Sequence, residues 1–201
     1  MEGRMTPDLR DVGGWGGLGD SRYMRYCHAF DRVDHCVKSG FFPEAIAILD
    51  SLIGDRLSSR LGHVASEPVD YRMTTNQLCG ALVGNGAAKS GAEQDAAFRH
   101  VIADIRTWAH ERNEAVHATA KVFRVNTSKK DFAAILRSHR QTAIAGIRCL
   151  QAFDKLDTKD RAKARKHPAS FPNAFFPKRR SAPSYVRSRA IWDAVLPTET
   201  T

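Results

Sequence analysis

Apolar positions recur every three or four residues along most of this chain, and no segment alternates with period two. The pattern predicts helices and no strands. From Ser21 onward, Tyr26, Phe30, Val33 and Val37 form one stripe, which Gly40 ends. Pro43 suits the first turn of a second helix, where its missing N–H costs nothing. That helix carries Ile46, Leu49, Ile53, Leu57 and Leu61, widened by Ala45, Ile48 and Leu52. It is expected to be the most buried element and to end near Gly62. Residues 63–73 read as loop.

Thr74 or Thr75 is placed to cap a short helix bearing Leu78, Leu82 and Val83, stopped by Gly84-Asn85-Gly86. Ser90-Gly91-Ala92-Glu93 fits a capping box opening a long helix to about Arg124. Its stripe is Phe98, Ile102, Ile105, Ala109, Val116, Ala120 and Phe123. A last long helix, from Thr127 or Ser128, carries Phe132, Ile135, Leu136, Ala143, Ile147, Leu150 and Phe153. Four main amphipathic helices and a short one predict an all-α antiparallel bundle over residues 21–157. Residues 1–20, rich in Gly and Asp without periodicity, are expected to be a flexible N-terminal segment.

Composition changes after Leu156, so residues 158–201 read as a basic C-terminal extension. Nine Lys and Arg and no acid lie between Arg161 and Arg189, interleaved with Phe171, Phe175, Phe176 and Tyr185. Pro168, Pro172, Pro177 and Pro183 exclude a long helix there, leaving a short one near 184–196. Cations hold phosphates and aromatics stack bases, so Arg161, Lys163, Arg165, Lys166, Lys178, Arg179 and Arg180 are RNA-binding candidates. A solvated tail packing its aromatics on the bundle is the plainer alternative.

The whole chain of 201 residues repeats this bias, with 31 Lys and Arg against 22 Asp and Glu, a formal charge of +9. Such a field attracts nucleic acid or an acidic protein. Cys27, Cys36, Cys79 and Cys149 have no zinc-like spacing and fall on apolar helix positions, as reduced core residues do. No apolar run approaches the roughly 20 residues that span a bilayer, and residues 13–17 hold glycines instead of a signal-peptide core. A cytoplasmic, membrane-free protein is the expectation.

The chemistry concentrates on the fourth helix. Arg106, His110, Asn113, His117, Lys121 and Arg124 share one face that carries no acid. Arg112 instead continues the apolar stripe between Ala109 and Val116, where a guanidinium is expensive unless it is paired or opens onto an interface. Metal readings lack ligands. His110-Glu111 has Glu114 where a zincin has its second His, and Glu114-x-x-His117 has no second copy. Gly84, Gly86 and Gly91 lack the strand and pattern of a phosphate loop.

Arg112-Asn113-Glu114-Ala115-Val116-His117 resembles the R-x4-H motif of the HEPN superfamily (higher eukaryotes and prokaryotes nucleotide-binding), in which a polar residue follows the Arg. The resemblance covers roughly residues 22–157, with only the motif specific. It implies an all-helical homodimer with the two motifs at the interface, cutting RNA with no metal or cofactor, of the kind found in toxin–antitoxin and abortive-infection systems. On that resemblance Arg112, Asn113 and His117 are the catalytic candidates, with His110 and Arg106 in a second tier. Lys121 and Arg124 would meet RNA beside them, and an acidic antitoxin or regulatory protein could cover the basic surface.

The residue types suit the reaction. An imidazole can take the proton from a ribose 2′-OH or give one to the leaving 5′-oxygen. A guanidinium can fork onto the phosphate and stabilise the growing charge. A non-catalytic RNA- or partner-binding subunit, or a nucleotide-binding HEPN regulator, is the alternative expectation.

Overall fold

The computed structural model describes residues 17–66, 69–70, 72–85, 90–118 and 132–163, and these form an all-α bundle. The helices are α1 Gly17–Lys38, α2 Phe42–Ala65, α3 Thr75–Val83, α4 Ala96–Ala118 and α5 Phe132–Lys163. No strand occurs among the described residues.

Glycine chemistry makes the first corner. Gly40 adopts φ +79°, the Phe41 N–H donates to the Cys36 carbonyl at 2.8 Å, and the Gly40 N–H reaches the Val37 carbonyl. This paired closure satisfies carbonyls that α1 leaves open. It turns α2 back along α1, where the Tyr26 hydroxyl bonds Asp55 and the Arg56 guanidinium lies over the Tyr26 ring. α2 buries Ala45, Ile46, Leu49, Leu52, Ile53, Leu57 and Leu61 and packs against all four other helices, as its wide apolar stripe predicts.

Thr74 caps α3 through a capping box with Gln77, and the Gly84 N–H closes the far end on the Gly80 carbonyl. The opening of α4 differs from the sequence expectation. Glu93 does not cap it; the Asp95 carboxylate accepts from the Ala97 and Phe98 N–H groups, and the helix starts at Ala96. Residues 92–93 instead bond the Ala81 and Leu82 carbonyls, and Glu93 is drawn into the interior by Arg60 at 2.6 Å. A buried guanidinium outcompetes a helix terminus for that carboxylate.

α4 and α5 run antiparallel. Phe98 meets Phe153 edge to face, with centroids 5.7 Å apart. Trp108 Nε1–H donates to the Thr142 carbonyl at 2.8 Å, its ring lying against Gly146. α5 continues to Lys163, past the composition change after Leu156, because Asp157 and Asp160 on it engage Arg60. Val116, expected in the core, is 43% exposed, while Trp108 and Ala115 are buried. The α4 stripe is therefore turned toward Trp108, whose ring fills the space over Gly146. Cys36 and Cys79 are buried free thiols and Cys149 is partly buried.

Candidate functional site

Three helices meet at one carboxylate. Asp50, on α2, holds Arg112 of α4, with Oδ1 2.9 Å from Nη2. The same oxygen accepts the Thr75 hydroxyl of α3 at 2.7 Å. Arg112 thus occupies its core-facing slot by pairing, with its side chain 19% exposed. Its Nε is buried without a hydrogen-bond partner, and so is Oδ1 of Asn76, the residue after Thr75. Unsatisfied buried polar atoms cost about 1–3 kcal/mol each, which makes each of them uncommon in an ordinary core.

His139 belongs to the same level of the bundle. It is buried, and neither ring nitrogen has a partner. One turn beyond the Trp108–Thr142 hydrogen bond, the antiparallel register of α4 and α5 brings the backbones of Arg112 and His139 abreast. Asp50, Thr75 and His139 are absent from the sequence-based site. The legible trace was an acid adjoining the α2 stripe and a His in the α5 core slot between Leu136 and Ala143.

The remaining motif residues separate. Asn113 is half-buried, whereas His117 and His110 are exposed. Five residues of helix rotate His117 about 140° from Arg112, so within one chain the two side chains leave the helix on different sides. Arg106 is engaged elsewhere. Its guanidinium donates to the Gly84 carbonyl at 3.1 Å and to Asn85 Oδ1 at 3.0 Å, fastening the end of α3 to α4. Lys163 is exposed at the end of α5, and Arg161 lies in its last turn. Lys121, Arg124, Arg165, Lys166, Lys178, Arg179 and Arg180 lie outside the described residues, as does the expected 184–196 helix.

No family model, curated protein or solved structure matches this chain. No helix among the described residues is long and apolar enough to cross a membrane.

The far end of the bundle holds a second polar cluster, built for stability. Arg60 is 4% exposed, lies 3.7 Å from the Phe98 ring centroid, and bonds Glu93 and Asp160. Arg56 reaches Asp154 at 2.7 Å. The hydrogen bond from Arg60 holds the Asp160 carboxyl below its ordinary value, against the opposing effect of burial.

Proposed function

We propose that the protein is a metal-independent endoribonuclease of the HEPN type, acting as a homodimer, with Arg112, Asn113 and His117 as its reactive set. The observation that carries this reading is the fixed Arg112. Asp50 holds one Nη while Nε keeps no protein partner, next to a helix face on which His117 and His110 meet solvent. Because His117 and Arg112 diverge around α4, a substrate phosphate would be gripped between two copies, His117 of one protomer facing Arg112 of its partner.

In that arrangement one imidazole takes the 2′-OH proton as O2′ bonds to phosphorus. The P–O5′ bond breaks, and a second imidazole protonates the departing 5′-oxygen. The products are a 2′,3′-cyclic phosphate and a 5′-OH. Arg112 neutralises the charge that builds on the phosphoryl oxygens. A toxin or anti-phage role, with an acidic antitoxin against the +9 chain, belongs to the same proposal.

A second reading is a non-catalytic RNA- or partner-binding subunit. It is favoured by Asp50, which already satisfies much of the Arg112 charge and accounts for it as a structural tie. Incubating purified protein with RNA in EDTA separates the two. Cyclic-phosphate ends, lost in His117→Ala while binding persists, support the nuclease. Intact RNA in the presence of tight binding leaves the binding subunit.

A further inference from the structure

α5 sorts its charges by side. Of its three acids, Asp154 and Asp157 are buried, at 1% and 3% exposed, and Asp160, partly exposed, is bound to Arg60. The charged residues of α5 that stand exposed among the described ones are cations, namely Arg137, Arg140, Arg148, Lys155, Lys159 and Lys163. At 100° per residue, Arg137, Arg148, Lys155 and Lys159 fall within about 40° of one line, with Arg140 and Lys163 flanking it. The row is about 39 Å long at 1.5 Å per residue.

Ordinary exposed helices mix signs, and like charges four residues apart destabilise a helix by about 0.2–0.5 kcal/mol per pair. Lys155, Lys159 and Lys163 repeat at that spacing, and Asp160, the partly exposed acid in that stretch, is bound to Arg60. They stand about 6 Å apart along the axis, within the Debye length of about 8 Å, so their fields add. A long, narrow polyanion relieves this repulsion along the whole row.

The chemistry of the face selects among polyanions. The large hydrophobic residues exposed among the described residues are Phe41 and Val116, neither on α5, while Ile147, Leu150 and Phe153 are buried in the core. An interfacial membrane helix needs that apolar face for insertion, and the core of a protein–protein contact is depleted of charged residues. No exposed aromatic stands in the row to stack a base. What remains is contact with phosphates alone, which a helical nucleic acid presents on its outside.

We propose that the outer face of α5 is a sequence-neutral docking track for the phosphate backbone of helical RNA. The track rests on the reading that the protein acts on RNA and supplies its substrate class, a structured RNA with a duplex arm. Since α4 and α5 are antiparallel, the Arg137 end of the track is level with Arg112. A duplex lying on α5 therefore leads its unpaired end toward the α4 site.

The test uses the full-length chain carrying His117→Ala, in EDTA, with a fluorescent RNA hairpin. Binding is measured between about 50 and 200 mM salt. The triple variant Arg148→Glu, Lys155→Glu, Lys159→Glu should bind more than about tenfold more weakly, with a salt slope shallower by about 2–3. A control with the same charge change on α1, Arg25→Glu, Arg32→Glu, Lys38→Glu, should stay within about threefold of the parent, because the row and not net charge sets contact.

Circular dichroism melts check that both variants fold. Unchanged affinity and slope in the α5 triple, or equal losses in both triples, overturn the track. Binding to phosphatidylserine vesicles without RNA binding also overturns it. Cleavage by the wild type is scored separately: bound but uncut RNA removes the nuclease and keeps the track. Undiminished cutting by the α5 triple in a wild-type His117 background removes the track and keeps the nuclease.

Discussion

Asp50 and Arg112, sixty-two positions apart in sequence, share a 2.9 Å ion pair that Thr75 reinforces at the same oxygen. Removing the carboxylate leaves a partly buried guanidinium and a hydroxyl without their acceptor. Asp50→Ala should lower stability by about 1–3 kcal/mol, read as a lower urea midpoint with an unchanged slope. Thr75→Val should cost less, and the two effects should fall short of additive because they share one oxygen. A midpoint equal to wild type in Asp50→Ala would remove the tie as a structural element.

Arg60 balances more than one buried acid, so its loss should be the more damaging. Arg60→Met leaves Glu93 as a buried carboxylate without its charged partner, an effect of about 3–5 kcal/mol. The same contact sets an acid limit. Asp160 titrates below its ordinary 3.8 in the folded chain because Arg60 bonds it. Its contribution is full above that unfolded value and disappears as pH falls through the depressed folded one. Thermal melts from neutral pH down to about pH 3 should show this slope in wild type and a weaker one in Arg60→Met.

Gly146 is the position where the α4–α5 contact has no room. A Cβ there would stand 2.8 Å from Cε2, Cζ2 and Nε1 of Trp108. Gly146→Ala should push the indole off the Thr142 carbonyl and cost about 1–3 kcal/mol. Trp108→Phe in the Gly146→Ala background should recover part of that loss, giving a favourable coupling in a double-mutant cycle. Additive losses would show that the ring and the glycine do not meet.

Burial pushes the Cys79 thiol up to about 12, with Arg106 opposing, and the Cys149 thiol up to about 11. An unfolded thiol ionises near 9, so the folded state holds these protons longer. That stability is fully present below the unfolded value and is lost as pH rises toward 11 and 12. Urea midpoints should decline between about pH 9 and 11, less steeply in Cys79→Ala, and iodoacetamide should modify Cys79 only as fast as the chain opens. Rapid labelling of Cys79 at neutral pH in the native state would contradict this burial.

The helices were readable because burial periodicity is a local property. The α2 stripe from Ala45 to Leu61, the Gly40 stop and the Thr74 cap all follow from residues within a few positions of one another. The capping role of Glu93 was misread for the opposite reason. Ser90-Gly91-Ala92-Glu93 satisfies a local rule, but Arg60, thirty-three positions earlier, claims the carboxylate. At the candidate site, the sequence singled out Arg112 as a cation in an apolar slot and left its partner open. Asp50 could not be named, since nothing local tells which of the chain's acids will face it.

Alone, the sequence determined an all-α bundle, its caps at Gly40 and Thr74, its basic character and the oddity of Arg112, because helix pattern, capping and charge are written within single turns. Only the tertiary structure decided that Asp50 and Thr75 hold Arg112, that His139 lies buried at the same level, and that Asp154 and Asp157 of α5 face inward. Those outcomes depend on how far each helix rotates about its axis when packed, and that rotation is set by the fit of side chains such as Trp108 against Gly146, between helices distant in the chain.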